Sequence, residues 1–260
     1  MGSKIDRTGE ENVNNFGSRM VIVRYRMRRD VDVHFPEYNW TAKNKEYKDF
    51  KKGTIKCPYE PRVCNYGYIG EGEYNTSKNG KVTKCYDTWQ HMLKRCYSER
   101  EHKKYPTYKD CKVCDEWLCF QNFAKWFDDN YYEVKGDEMC LDKDIINKGN
   151  TIYSPKNCIF VPERINTLFT KRDKLRGDYP IGVTYHKPSG KFESRCNIYD
   201  YKENKNKIIY LGLYDTPEKA FKVYKEFKEN YIREVADHYN GKIPYKLYNV
   251  MYKYQVEIND

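Results

Sequence analysis

The sequence predicts a modular α+β protein. Its parts are a small N-terminal β module, a central helical segment with a ββα unit, and a C-terminal three-stranded antiparallel sheet packed on one helix. Three observations predict this class. Short runs of apolar–polar alternation recur toward both ends of the chain, and aromatics at helical spacing fill its middle. Aliphatic residues are too scarce for one large core: 33% of the 260 residues are charged, and 27 tyrosines carry most of the 16% aromatic content. Tyrosine buries its ring while keeping its hydroxyl near water, which suits thin modules with half-buried residues.

The modules are expected over residues 1–80, 81–176 and 177–260. From Met20 to Pro58 the runs MVIVRYR and DVDVHF, a turn at Pro36–Asn39, and WTAKNKEYKDFKKGTI read as short strands. Turn formers every few residues make Pro58–Gly80 a linker or irregular extension. Beyond Tyr86, helical spacing of Trp89, Met92, Leu93, Cys96 and Tyr97 predicts one helix, and Trp117, Phe120, Phe123 and Trp126 line a second. The stretch Met139–Asn166 then gives a short strand, an Asn/Gly loop, a second strand and a helix start. In the last module IGVTYHKPSGKF, ESRCNIYDYKENKNK and IIYLGLYD read as three hairpin-linked strands, with turns at Pro188–Gly190 and at KENKNK. Thr216 as N-cap and Pro217 at the first helical position open a helix whose buried face is Ala220, Phe221, Tyr224, Phe227 and Tyr231.

The net charge of +10 points to a polyanionic partner, because each neutralised phosphate releases condensed counterions. No apolar run is long enough to cross a bilayer, so no membrane partner is expected. Without an apolar leader, the ten cysteines fit a reducing cytosol better than a disulfide scaffold.

The order of strand, loop, strand and helix in Met139–Asn166 suits a ββα finger that holds one divalent ion against a DNA phosphate. Several motifs carry a resemblance. Arg95–Cys96–Tyr97, Val113–Cys114–Asp115–Glu116–Trp117, Leu141–Asp142–Lys143–Asp144, Tyr153–Ser154–Pro155, Asn157–Cys158 and Asn166 together resemble phage-encoded HNH endonuclease-like proteins over about eighty residues. Ile181–Gly182–Val183, Tyr210–Leu211–Gly212, Tyr214–Asp215–Thr216 and Glu218–Lys219–Ala220 are similar to the APETALA-two/ethylene-response-factor DNA-binding domain. The resemblance implies a monomer acting on double-stranded DNA in the bacterial cytoplasm that hosts a phage or mobile element.

For an HNH-type site, which needs a base and a metal ion, Asp142 and Asp144 are the expected ligands of Mg²⁺ or Mn²⁺, with Asn166 as a third. Spacing of i, i+2 on a strand would send both acids to one face. Asn150 or Asn157 would hold the loop. Lys143 stands where the HNH pattern places its histidine base; an ordinary lysine is protonated at neutral pH. Two upstream histidines, His91 and His102, are alternative bases. A structural Zn²⁺ held by Cys111, Cys114, Cys140 and Cys158 is a further expectation from one C-x-x-C pair. Tyr185, Lys187, Lys191, Arg195 and Lys207 are the expected DNA contacts on the C-terminal sheet, with Arg195 as base reader. The basic linker adds Arg172, Lys174 and Arg176. Two functions remain open: metal-dependent cleavage or nicking of DNA, and non-catalytic, regulatory DNA binding on a degenerate HNH scaffold. RNA binding ranks third, because no aromatic spacing suited to single-strand stacking is present.

Overall fold

The computed structural model describes residues 5–170 and 178–258; Arg172, Lys174 and Arg176 lie outside the described residues. The chain is mixed α+β, as expected. By density of contacts it divides into two compact units, Met1–Tyr131 with Asn150–Asn157, and Tyr132–Gly149 with Cys158–Asp260.

The first unit opens with an antiparallel sheet in sequence order, β1 (Glu11–Val13), β2 (Arg19–Met27), β3 (Asp30–Phe35) and β4 (Trp40–Lys45). Alternation buries Met20, Ile22, Val31, Val33 and Phe35 on one face. The expected turn at Pro36–Asn39 is a 3₁₀ turn ended by Asn39 at φ 47°. Beyond β4 the chain departs from the strand pattern: Tyr47–Lys51 is a short helix, α1, which buries Phe50 in this core. Most of the 58–80 stretch is irregular, but Asn79–Gly80, both at positive φ, turns a two-residue hairpin of β5 (Ser77–Lys78) and β6 (Lys81–Val82).

Thr83 caps α2 (Lys84–Tyr97) by accepting from the Tyr86 N–H. Next come α3 (Glu99–Lys104), a 3₁₀ turn at Pro106–Tyr108 and β7 (Lys112–Val113). The second expected helix is broken into α4 (Asp115–Leu118) and α5 (Phe120–Asn130). The break has a physical cause: the backbone around Cys119 pairs with Tyr68, whose N–H donates to Leu118 O and whose carbonyl accepts from Phe120 N. Of the aromatics expected to face the core, Trp89, Trp117, Phe120 and Phe123 are fully buried and Trp126 is half-buried, with Trp89 Nε1 donating to Trp117 O at 2.7 Å.

In the second unit β8 (Met139–Asp142) pairs antiparallel with β10 (Ile159–Pro162), and α6 (Glu163–Phe169) packs against both. Between them in sequence, β9 (Ile152–Tyr153) belongs to the first unit and pairs parallel with β7. The C-terminal strands β11 (Val183–His186), β12 (Lys191–Asp200) and β13 (Lys205–Tyr214) form an antiparallel sheet in sequence order. Helix α7 (Pro217–His238) packs on it, capped by Thr216 with Pro217 in its first turn. Helix α8 (Tyr245–Tyr252) packs on α7. Val161 and Ile165 of the ββα segment share one core with Ile232, Val235, Leu247 and Met251 of the two C-terminal helices.

Candidate functional site

Strand β8 ends at Asp142, so Asp144 stands in the following turn rather than on the strand, and the same-face argument for the pair does not apply. The turn brings the two acids together by another route. Asp142 Oδ1 accepts the backbone N–H groups of Asp144 at 2.9 Å and Ile145 at 2.7 Å, an Asx-type turn closed by the carboxylate itself. Burial, followed by the Asp144 carboxylate, pushes the Asp142 carboxyl above its ordinary range. Lys143 is buried, and its Nζ lies 3.0 Å from Asp144 Oδ2. Asn166 lies half-buried on α6.

The two loop asparagines meet: Asn157 Nδ2 donates to Asn150 Oδ1 at 2.9 Å, and Asn150 Nδ2 donates to Ile152 O at 2.8 Å. Of the alternative bases, His91 Nδ1 is 3.3 Å from Asp87, and His102 Nε2 is 3.0 Å from Arg95 O.

Among the described residues, no three His, Cys, Asp or Glu side chains gather so as to hold a metal ion. Of the cysteines expected to hold zinc, Cys111 and Cys114 belong to the first unit and Cys140 and Cys158 to the second; burial raises the Cys114 thiol, which disfavours the thiolate that zinc needs. The donor set fits a hard cation better. Of the four carboxylate oxygens at the β8 turn, two are spoken for by backbone N–H groups and by Lys143. Mg²⁺ takes one or two carboxylates and completes its shell with water and phosphate oxygens, and a cation relieves the repulsion from Asp144 that adds to burial in raising Asp142. Asp142 and Asp144 are the residues that would hold it.

The three-stranded sheet has two unlike faces. Val183, Ser194 and Cys196 are buried beneath α7. Cross-strand partners share a face, and the pairs Arg195↔Tyr210 and Asn197↔Ile208 lie on the other, open side. Ile208 and Tyr210 are 67% and 60% exposed there, although both are large and apolar. Lys191 is on the open side and pairs with Asp215 at 3.2 Å, and Lys187 is exposed in the first turn. Tyr185 lies opposite Phe192 on the helix side, within an aromatic cluster that includes Tyr179. Lys207 is held by Asp200 at 2.7 Å and by Glu203, and it draws the Asp200 carboxyl down to about 2.

Sequence reasoning missed Asn197, Ile208 and Tyr210. The run NKIIY does not alternate, so it gave no face assignment, and a bulge shifts the register between Ser194 and Arg195, leaving Leu211 unopposed and reversing side-chain parity along β13. Comparison of the chain with protein-family models, curated proteins and solved structures found no match.

Proposed function

We propose that this chain is a double-stranded-DNA-binding protein of a phage or mobile element, acting as a monomer in the bacterial cytoplasm, and that its β8–β10–α6 segment is an HNH-type endonuclease or nickase site. The observation that carries the reading is the half-buried Asp142 carboxyl closing the β8 turn against Asp144, at the strand end from which a ββα finger presents its metal ligand. A bound Mg²⁺ or Mn²⁺ would stabilise charge developing on the scissile phosphate and the leaving oxygen. Among this chain's residues, Asp142, Asp144 and Asn166 would fix the cation side. Outside that site, Arg195, Asn197 and Tyr210 form a surface of hydrogen-bonding groups and an exposed ring that suits a DNA groove.

The Lys143–Asp144 contact favours a second reading. A built-in ammonium neutralises one acid, and no histidine follows Asp142, so the unit would serve as a scaffold for a non-catalytic DNA binder. Supercoiled plasmid carrying the native locus, incubated with Mg²⁺ or Mn²⁺, separates the two. Metal-dependent nicked or linear product, absent with Asp142→Asn, supports the enzyme; retarded but intact DNA supports the binder.

A further inference from the structure

The second unit contains an open cleft of about 790 Å³, and none of the residues assigned above to metal or DNA lines it. Its walls come from four places: residues 133–137 ahead of β8, Arg164 on α6, the β12–β13 turn at Tyr201 and Asn204, and the end of α7 from His238 to Lys242. Its volume lies inside the range of small-molecule sites, roughly 300–1,000 Å³.

One wall is aromatic. The Tyr201 and His238 rings stack with centroids 4.0 Å apart, and the buried Tyr239 meets Tyr201 edge-on at 6.1 Å. Another wall is cationic and rigid. The Arg164 guanidinium lies 4.3 Å over the Tyr199 ring, and its Nε is 3.3 Å from Asp137 Oδ1. Asp137 is itself fixed, because its Oδ2 accepts the Tyr239 hydroxyl at 2.8 Å. Arg164 is thus oriented by an ion pair and a ring, yet its N–H groups make no hydrogen bond with a described residue. A guanidinium so placed presents its fork of donors to whatever enters the cleft. Lys242 lines the same cleft with its Nζ 5.9 Å from the Tyr239 ring centroid, and together with Arg164 it opposes protonation of His238. The lining carries Lys135, Arg164 and Lys242 against Glu133 and Asp137, and Asp137 already has a partner on each oxygen.

We infer that this cleft binds a nucleoside monophosphate unit, with its phosphate on Arg164 and Lys242 and its base against the Tyr201–His238 wall. Paired cations match a dianionic phosphate monoester better than a carboxylate, and an aromatic wall of this width matches a planar base. The unit is either a free mononucleotide or the 5′-phosphorylated end of a DNA strand; the chemistry is the same.

His238 is the reporter. His238 is exposed, and the partial desolvation of its imidazole against the cleft wall holds it below the ordinary range, Lys242 and Arg164 depress it further, and Asp137 opposes them. A phosphate dianion among these groups, with Lys135 and Glu133 at the rim, raises it. The test follows the His238 imidazole resonances of the full chain by NMR across pH, assigned with His238→Asn. The additions are deoxyadenosine 5′-monophosphate, inorganic phosphate, deoxyadenosine, and a short oligonucleotide with or without a 5′-phosphate.

The mononucleotide is expected to shift the His238 signal saturably and to raise its titration midpoint. Deoxyadenosine should not raise it, and inorganic phosphate should bind about tenfold more weakly. Lys242→Ala, at an exposed position, should weaken the mononucleotide about tenfold while leaving the other histidine signals in place. Arg164→Gln should do more, but it also removes the partner of Asp137, so Lys242→Ala decides if that variant misfolds. A shift by the oligonucleotide that needs its 5′-phosphate assigns the site to a DNA end, and a shift by the free mononucleotide alone assigns it to a metabolite; both support the inference. An unmoved His238, equal binding of inorganic phosphate and mononucleotide, or unchanged affinity in Lys242→Ala overturns it. Cleavage activity plays no part in these readouts, so failure of the nuclease reading leaves them interpretable.

Discussion

The Lys143 ammonium lies 3.0 Å from the Asp144 carboxylate, inside the turn that the Asp142 carboxyl closes. In this turn a lysine competes with any divalent cation for the same acid. Lys143→Met is therefore expected to lose stability in metal-free buffer, where two acids face each other uncompensated, by about 1–3 kcal/mol. The same variant should bind Mn²⁺ more tightly than the wild type. Urea unfolding with chelator and a Mn²⁺ titration check the two halves, and a variant weaker in both would show that Lys143 supports the site.

Asp142 has two tasks that substitution can separate. Asp142→Ala deletes the acceptor of two backbone N–H groups and should cost about 1–3 kcal/mol. Asp142→Asn keeps an oxygen for that turn and should fold nearly as well as the wild type, while losing divalent-ion binding. Thermal unfolding of both variants with and without Mg²⁺ tests this.

The pH dependence follows from the same group. Its carboxyl is raised above the ordinary 3.8 in the folded chain, so folding takes up a proton between that value and the raised one. The stability this contributes is full below the unfolded value and is lost as pH rises through the folded one. A bound cation reverses the preference. The gain in Tm from Mg²⁺ should accordingly grow as pH rises through this window and vanish in Asp142→Asn.

On the C-terminal sheet, the open face should dominate DNA binding. Arg195→Ala combined with Lys187→Ala should weaken duplex binding and reduce the slope of affinity against salt by about one per lost phosphate contact. Tyr210→Ala should weaken binding with little change in that slope. Lys207→Ala should matter less for DNA, since Lys207 is tied to Asp200 and Glu203. Fluorescence anisotropy at several salt concentrations distinguishes these variants.

Gly182 has φ +77°, and a Cβ there would collide with the Tyr224 ring. The close approach seats β11 on α7. Gly182→Ala should destabilise the fold by on the order of 2–4 kcal/mol, from overpacking and left-handed strain together. Denaturant titration monitored by near-ultraviolet circular dichroism provides the measurement.

Local patterns made much of this fold legible. Thr216–Pro217 marked the start of α7, and hairpin turns marked β11, β12 and β13 within a few residues. The Cys119 break was hidden, because it depends on backbone pairing with Tyr68 about fifty residues away, while the helical spacing of Trp117 and Phe120 runs straight through it. Tyr47–Lys51 was hidden for a different reason: five polar and aromatic residues carry too short a period to separate helix from strand. At the candidate site, the identities of Asp142, Asp144 and the loop asparagines were readable, but their geometry was not. Where β8 stops decides which side chains face each other. Likewise the bulge opposite Arg195 decides which β13 residues share its face.

Asp142 and Asp144 together are expected to hold one divalent cation. Electron paramagnetic resonance of Mn²⁺ titrated into the protein measures this directly, by the loss of the free-ion signal. One saturable site is expected in the wild type, abolished in both Asp142→Asn and Asp144→Asn. Equal Mn²⁺ uptake by the wild type and both variants, or none by any of them, would contradict it.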